Sequence, residues 1–434
     1  MNRHLFKTSI FLIILLGGGQ CSGQAQDYKL SNTSLNEFKK NFKFSLPDYR
    51  NSNCDFNNLT KYLIKLNSNE SKIAYYGIAH EMYLPLIIAF KEKRMDVISQ
   101  YDTLFSESKL SHLIPSLGND RLNELTYFYL VSNYLKYKSH LGNKEEKLRL
   151  NKLYKIIKGY ILDFWIEDVG NNWEAEPFRY KGKRSRVAYL LDHELKDFKK
   201  EERFHGAIVD QDLYLMAIGT NLAAYELIDK KEVSDELTEI VYYFLEVFKR
   251  KVKFLDEKRW VFQPGAFSEH RDYKYAGNKQ ITANIEVNKV SGISWDTSHF
   301  SRFPAFLVTL KSILREDSPQ RRYVDRLIEG LSNQFIEKVV VYPNNKNDLI
   351  QFNNFMDGNN GVFRYRFKGK FSGYTPYTNC LHIYWGWWKL LNDERIYKIY
   401  EEISKNYPEY TSEQLKKFSP SPSMLNVYKD LVDL

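Results

Sequence analysis

The chain has 434 residues, a formal net charge of +9 and an aromatic content of 15%, with 32 tyrosines and 7 tryptophans. This length allows one large hydrophobic core or two smaller ones, and no Gly/Ser-rich or Pro-rich linker divides the chain. The surplus of positive charge is modest, and lysines alternate with acidic residues along the sequence, so a nucleic-acid partner is not expected.

The first 25 residues have the pattern of a secretory signal peptide. Arg3 and Lys7 precede an apolar run over residues 10–16, which is shorter than the ~20 residues that a membrane-spanning helix needs. Cleavage after Ala25 gives a soluble product, whereas cleavage before Cys21 gives a lipid-anchored one. Both alternatives place the mature protein outside the cytoplasm, as a periplasmic, secreted or outer-membrane-tethered protein.

The three cysteines do not make a disulfide framework. If Cys21 leaves with the signal peptide, Cys54 and Cys380 either form one disulfide or stay as two buried thiols. Their spacing along the chain does not decide between these alternatives.

A polar leader over residues 26–55 is followed by a single domain over residues 56–434, in which helical periodicity dominates. The periodicity predicts helices that are joined in pairs by short connections. Their ranges are 57–67, 71–93, 95–106, 121–140, 145–165, 185–200, 207–228, 233–254, 297–315, 319–338, 379–391 and 394–405.

The first helix of several pairs is apolar nearly all round, as over residues 213–227, while the second alternates charged and apolar residues, as over 233–253. A helix that is apolar on every side is buried, and an amphipathic helix faces water on one side. This alternation predicts an inner ring of helices inside an outer ring, which is an α/α toroid: an incomplete or full (α/α)6 barrel. The pairs differ in length, which disfavours an open solenoid of equal repeats.

Three long connections, over residues 166–184, 255–296 and 339–378, interrupt the helix pairs. Connections of this length in a compact domain are often functional, and we expect them to cover the mouth of the ring. Alternating residues near 281–290 predict a short β-hairpin within the second connection.

The segment over residues 295–302 places a helix cap, an imidazole and a guanidinium within two helical turns. Asp296 is positioned to accept hydrogen bonds from the free amides of the first turn. His299 and Arg302 are three residues apart and therefore share a helix face. The segment predicts either a site at a helix mouth or a capped helix whose polar first turn packs under a loop.

The helical architecture, the export signal and the polar aromatic loops resemble those of the bacterial α/α-toroid carbohydrate-active enzymes, which include polysaccharide lyases and glycoside hydrolases. The resemblance covers roughly residues 120–405 and implies a polysaccharide or oligosaccharide substrate. It transfers no residue roles, because the sequence matches no motif of such a family. The candidate residues therefore rest on side-chain chemistry.

A lyase that acts on a uronic acid must neutralise the carboxylate and place a base at the neighbouring carbon. His299 or Tyr377 is the candidate base. Arg302 or Arg364 is the candidate clamp for the carboxylate, and Asn360 is a further candidate for holding it.

A glycoside hydrolase instead needs two carboxyl groups, about 5 Å apart for retention and farther apart for inversion. The candidates are Glu174, Glu176, Asp210, Asp212, Asp296 and Asp357. Glu174 and Glu176 lie in an irregular loop. Asp210, which follows His205, and Asp296 each stand near the start of a predicted helix, where capping is the alternative role.

Aromatic residues in two segments are candidates for contact with the sugar. Tyr374 and Tyr377 flank a Thr-Pro pair that fixes the turn, and packing is the alternative role of each. Three tryptophans lie within residues 385–388. Trp385, three residues after His382, is assigned to the pocket and the other two are assigned to the core.

The histidines are scattered and show no metal-binding spacing, and the turn over residues 357–361 lacks the later acid of a calcium-binding loop. We therefore expect no metal ion and no cofactor.

Together these features predict an exported polysaccharide-degrading enzyme, in the first place a lyase that cleaves a uronate-containing glycan by proton abstraction and β-elimination. A glycoside hydrolase with a carboxylate pair and a non-catalytic glycan-binding lipoprotein anchored at Cys21 are the alternatives. The candidate catalytic residues are His299, Arg302, Tyr377 and Asp296. The candidate substrate-binding residues are Glu174, Glu176, His205, Asp210, Asn360, Arg364, Tyr374, His382 and Trp385.

Overall fold

The protein is mainly helical with a few short strands, as a computed structural model shows, so the predicted all-α class is confirmed. The signal segment, Glu174, Glu176 and Cys380 lie outside the described residues. Within the described part of the chain, no helix has the length and apolarity that crossing a membrane requires. The structure describes residues 29–52, 54–68, 75–106, 121–142, 146–167, 180–344, 349–367, 369–379, 381–407 and 422–434.

The α-helices in chain order are α1 (Asn32–Lys39), α2 (Asn57–Ser68), α3 (Tyr75–Glu81), α4 (Tyr83–Lys91), α5 (Met95–Leu104), α6 (Arg121–His140), α7 (Lys147–Ile166), α8 (Gly182–Asp192), α9 (Asp210–Lys230), α10 (Asp235–Lys251), α11 (Thr297–Phe300), α12 (Phe303–Ile313), α13 (Pro319–Gln334), α14 (Glu394–Lys405) and α15 (Pro422–Asp433). Short 3-10 helices cover Leu195–Asp197, Lys200–Gly206, Leu381–Trp385 and Trp387–Leu391, and a π-helical turn covers Phe335–Val339.

Helix α1 lies within the segment predicted as a polar leader. The Oγ atom of Ser31 caps the helix by accepting a hydrogen bond from the amide of Ser34 at 3.2 Å. Leu35 and Phe38 are buried, and the ring of Phe38 meets Tyr242 of α10 edge-on with centroids 5.5 Å apart. The leader therefore covers a face of α10 that the sequence pattern alone would leave exposed to water.

The predicted helix over residues 297–315 is two helices, α11 and α12. Pro304 lies in the first turn of α12 and has no amide hydrogen, so it cannot donate to the carbonyl of Phe300 and continue the preceding helix. His299, which lies in α11, and Arg302, which precedes α12, are therefore on either side of the break, whereas the prediction placed them on one face of a single helix.

The predicted helix over residues 379–391 is instead two 3-10 helices, which Gly386 separates at a φ of +76°. A Cβ atom added at Gly386 would lie 2.6 Å from Cδ2 of Leu84 and 2.8 Å from the carbonyl oxygen of Leu431. Packing against α4 and α15 therefore fixes this break, which no local pattern indicates.

The predicted β-hairpin near residues 281–290 is wrong, because no strand lies there. That segment runs over the surface, with Val287 50% exposed, so its alternation has no apolar face to bury. A hairpin lies instead where this connection begins: β1 (Val252–Phe254) pairs antiparallel with β2 (Trp260–Phe262). A second antiparallel pair joins β3 (Val340–Val341) to β4 (Gln351–Phe352).

The core is built on long helices that are buried on nearly all sides. Helix α6 packs against α3 and α9, α9 packs against α12, and α12 packs against the 3-10 helix over residues 387–391. The indole nitrogen of Trp387 then donates to the carbonyl of His80 on α3 at 3.0 Å. Helices α7 and α13 bury one face only, as the amphipathic pattern predicted.

The close approach at Gly386 yields a stability prediction with a matched control. Gly386→Ala should cost about 1–2 kcal/mol for a left-handed alanine and a further 1–3 kcal/mol, roughly, for overpacking against Leu84 and Leu431. Gly142→Ala should cost only the first part, because Gly142 has a φ of +75° but no neighbour within 4 Å of the added Cβ. Urea unfolding measures both. Equal losses would contradict the role of the close approach.

Candidate functional site

A cavity of about 210 Å³ opens where the N-terminal ends of the buried helices α6 and α9 meet α11. Leu122 of α6, Asp210 at the start of α9 and His299 of α11 all line it. Its other polar lining residues are Gln211, His270, Arg271, Asp272, Tyr273 and Arg364, and its other apolar ones are Val209, Phe267, Trp295, Phe363 and Phe367.

Asp296 and His299 form a hydrogen-bonded dyad at this cavity. Asp296 caps α11, since its Oδ1 accepts from the amide of His299 at 3.1 Å, and its Oδ2 lies 2.7 Å from Nδ1 of the same residue. The other ring nitrogen, Nε2, lies 3.4 Å from Nη2 of Arg364, a group that can only donate. The arrangement therefore places the imidazole proton on Nδ1 and a lone pair on Nε2.

The carboxylate of Asp296 is fully buried and is held by two further donors. The hydroxyl of Tyr273 donates to Oδ2 at 2.7 Å, and the side-chain amide of Asn379 donates to Oδ1 at 3.0 Å. Burial alone would raise the pKa of Asp296, but the electrostatic interaction with the His299 ring and the hydrogen bonds from His299 and Tyr273 outweigh it and hold the pKa well below its usual range. Asp296 is therefore a fixed negative charge behind the imidazole.

Arg364 is held beside His299 by its own carboxylate. Its Nε donates to Oδ2 of Asp272 at 3.0 Å, and its backbone amide donates to the carbonyl of Asp272 at 2.9 Å. The guanidinium carbon also lies 4.8 Å from the ring centroid of Phe367. Arg364 has a φ of +53°, a strained conformation for a non-glycine residue that is concentrated at functional sites.

The structure corrects the predicted role of Arg302 as a substrate clamp. Its side chain is fully buried and donates to Asp210, to the hydroxyl of Tyr76 and, from Nε at 3.2 Å, to Nε2 of His80. Its partners thus lie on α3 and α9. Arg302 therefore positions Asp210, which lines the cavity, rather than touching a ligand.

His80, which the sequence analysis did not select, is a neutral buried histidine. Its Nε2 must accept from Arg302, and its Nδ1 lies 2.7 Å from the carbonyl of Tyr76, so the proton is on Nδ1. Burial, followed by the charge of Arg302, lowers the pKa of His80 well below its usual value. The same causes lower the pKa of His382, whose Nδ1 lies 2.9 Å from the carbonyl of Ser298.

The prediction that Trp385 offers a surface for a sugar is wrong. Its ring is sandwiched between the imidazoles of His80 and His382, with centroids 4.2 and 3.8 Å away, and only 4% of the residue is exposed. His382 belongs to this stack and does not line the cavity. The stack contacts α11 through a hydrogen bond between His382 and the hydroxyl of Ser298.

Four other predicted residues do not line the cavity. Oδ1 of Asn360 accepts from the amides of Asn354 and Tyr377, at 3.3 and 3.0 Å, and so ties two loop segments together. Tyr374 forms an antiparallel bridge with Phe363, and His205 is buried with its ring centroid 4.2 Å from that of Phe204. These contacts belong to the loops around the cavity. The structure does not bring these four residues into the cavity lining, so their roles in substrate binding, and that of Tyr377 as the base, stay sequence-based predictions.

Sequence reasoning selected the loops but missed several residues of the cavity. Asp272 and Tyr273 partner Arg364 and Asp296. The apolar wall includes Phe367, which is 51% exposed. The run Glu269-His270-Arg271 just before Asp272 was the one sequence signal near these positions.

A larger cavity, of about 390 Å³, lies between α14 and α15. The amine of Lys389 lies beneath it, and burial lowers the pKa of this amine to about 7. The amine donates to the carbonyls of Leu431 and Val432 at 3.2 and 2.8 Å. Lys389 therefore satisfies the carbonyls that end α15, which is a structural role.

Comparisons of the chain with protein-family profiles, with curated proteins and with solved structures found no significant match. The candidate site therefore rests on its own geometry.

The buried Arg302–Asp210 pair yields a prediction about stability. Arg302→Met should lower the free energy of unfolding by about 3–5 kcal/mol, because it leaves the carboxylate of Asp210 buried without its cation. Adding Asp210→Asn should restore about 1 kcal/mol or more, because the amide carries no charge. Urea unfolding of both variants is the measurement, and equal stability of the single and double variants would count against the pairing.

The neutral state of His80 yields a prediction about acid stability. Below about pH 6.5 the unfolded chain protonates this histidine while the folded chain does not, so the free energy of unfolding falls by up to ~1.4 kcal/mol per pH unit. His80→Gln keeps a donor for Tyr76 and an acceptor for Arg302, and should remove that part of the slope between pH 6.5 and 5. Urea titrations over pH measure it, with His193→Gln at the end of α8 as the control. An unchanged slope for His80→Gln would refute the assignment.

Proposed function

We propose that the protein is an exported enzyme that cleaves a uronate-containing polysaccharide by β-elimination. The observation that carries the proposal is the setting of His299, whose Nδ1 meets the buried carboxylate of Asp296 while its Nε2 faces the guanidinium of Arg364 at 3.4 Å. A base and a carboxylate-binding group thus stand side by side in one cavity. Removal of a proton next to a carboxylate requires this pair of groups.

In the proposed reaction, Arg364 binds the uronate carboxylate and neutralises its charge, which acidifies the proton on the adjacent ring carbon. Nε2 of His299 takes that proton, the released electron pair forms a carbon–carbon double bond, and the bond from the next carbon to the glycosidic oxygen breaks. The leaving oxygen takes up a proton from the imidazolium. Asp296 stabilises the imidazolium between these two transfers.

Among the residues that the structure describes, which exclude Glu174 and Glu176, the carboxylates of the cavity favour a lyase over a glycoside hydrolase. A hydrolase needs one carboxyl group that donates a proton and a second one across the scissile bond. Asp210 accepts from Arg302 and Asp272 accepts from Arg364, so each is committed to a guanidinium. Asp296 is buried behind His299. The oriented dyad favours an enzyme over a purely glycan-binding protein, because binding alone does not require a base.

We also infer that the helices form an α/α toroid. The inference is supported by the succession of contacts from α3 through α6, α9 and α12 to residues 387–391, and by the bond from Trp387 back to α3. The amphipathic helices α7 and α13 then belong to an outer ring. The cavity at the N-terminal ends of α6 and α9 corresponds to one mouth of that ring. Export, with or without a lipid on Cys21, rests on the sequence of residues 1–25.

The proposed mechanism predicts distinct effects of two substitutions. His299→Gln should lower kcat on a cleavable polyuronate by about 10²–10⁴-fold, because the base is lost. Asp296→Asn should lower kcat by at least about 10²-fold, because the imidazole loses the charge that orients it and stabilises its protonated form. Absorbance of the unsaturated product, recorded over a panel of polyuronates, measures the reaction.

His193→Gln is the control for this experiment, since His193 bonds to the carbonyl of Tyr189 at 2.8 Å and does not line the cavity. It should cleave at the wild-type rate. Wild-type turnover by His299→Gln would exclude this residue as the base. Release of reducing ends without the absorbance of an unsaturated product would identify a hydrolase instead.

A further inference from the structure

We infer that the cavity contains a second recognition element, in which the side-chain oxygens of Asp210 and Gln211 accept hydrogen bonds from a free hydroxyl group of the bound uronate ring. The inference rests on the proposed function and specifies its substrate: a uronate that carries no substituent on that hydroxyl. Sulfated, acylated or methylated rings are then excluded.

Two acceptors at the start of α9 carry the inference. Asp210 is 8% exposed, and its Oδ2 is taken by Arg302. Its Oδ1 is buried and accepts no hydrogen bond from any residue that the structure describes, and the same holds for Oε1 of Gln211. Both residues line the cavity that His299 and Arg364 also line.

Buried acceptors without donors are costly. An unsatisfied buried polar group costs about 1–3 kcal/mol, and more when it is charged. A cap explains neither oxygen, because the first turn of α9 is capped through Asp212, whose Oδ2 accepts from the amide of Val209 at 2.9 Å. A ligand that brings a donor to this place removes the cost, so the two oxygens act as a binding element rather than as part of the fold.

The charges around the two acceptors indicate that the hydrogen-bond donor of the ligand is a neutral group. The guanidinium of Arg302 compensates the carboxylate of Asp210, and Gln211 is uncharged, so the pair presents acceptors without net negative charge. A sugar hydroxyl fits this description. A sulfate or an ester at the same position would face the acceptors with further oxygens and no hydrogen, which is repulsive.

The cavity thus contacts one ring at two points. Arg364 supplies donors for the carboxylate, and Asp210 with Gln211 supplies acceptors for the hydroxyl. Both contact points line one cavity of about 210 Å³, so we assign them to the same ring.

The test measures binding by calorimetry in the His299→Gln protein, in which slow turnover leaves the ligand intact. The probes are short oligomers of an unsulfated polyuronate, unmodified or with a single O-methyl group at the 2- or the 3-position. Methylation removes the donor and keeps the oxygen. We expect one of the two methyl derivatives to bind at least about tenfold more weakly than the unmodified oligomer, which corresponds to one hydrogen bond to a charged or buried acceptor.

A second substitution tests whether Gln211 causes the difference in affinity between the free and the methylated hydroxyl. With Gln211→Met added, the difference between methylated and free hydroxyl should shrink to about threefold or less, while Gln211→Glu, which keeps the acceptor, should preserve it. A merely structural role of Gln211 would weaken all oligomers alike.

The remaining outcomes separate the two proposals. If the unmodified and both methylated oligomers bind equally, the hydroxyl-binding element is refuted while the uronate site stands. If an oligomer with a free amino group at that position binds more tightly than the hydroxyl form, the donor is an ammonium group and the inference is overturned. If no uronate oligomer binds, the proposed function fails and this inference fails with it.

Discussion

The site depends on one buried carboxylate. Asp296 accepts hydrogen bonds from the amide and the ring of His299, from Tyr273 and from Asn379, so four donors from three separate segments converge on it. Its backbone also forms a bridge with Phe355. A charge without water around it is tolerated only when donors surround it in this way. The same contacts that stabilise the charge therefore join the long connections to α11 and orient the imidazole.

Each acid that the structure describes at the cavity is paired with a cation. Asp210 is matched by Arg302, Asp272 by Arg364, and Asp296 by the ring of His299 when that ring is protonated. Such pairing leaves the side chains in fixed geometry, which is what preorganised electrostatic stabilisation requires. It also means that an anionic ligand must compete with Asp272 for Arg364. Binding then depends on the guanidinium atoms that Asp272 does not occupy.

Sequence reasoning worked where the determinants are local. The periodicity of α6, α7, α9 and α13 gives their positions within a few residues, and the capping of α11 by Asp296 follows from three neighbouring residues. It failed where residues that are distant in the sequence determine the local structure. The break at Gly386 depends on Leu84 and Leu431, and the burial of Arg302 depends on Asp210, 92 positions away. Trp385 was misassigned because its two covering rings, one of them from α3, cannot be read from its own segment.

The bond between the indole of Trp387 and the carbonyl of His80 joins the two ends of the fold across a sequence separation of 307 residues. The hydrogen bonds that surround Asp296 likewise include one from Asn379, 83 positions later in the chain. Contacts between residues so far apart in sequence require the chain to lose conformational entropy before they add stability, and they form late in folding. A chain still emerging from the ribosome has His299 and Asp296 but lacks Arg364 and Asn379, which contact the ring and the carboxylate, so synthesis must be almost complete before the site assembles.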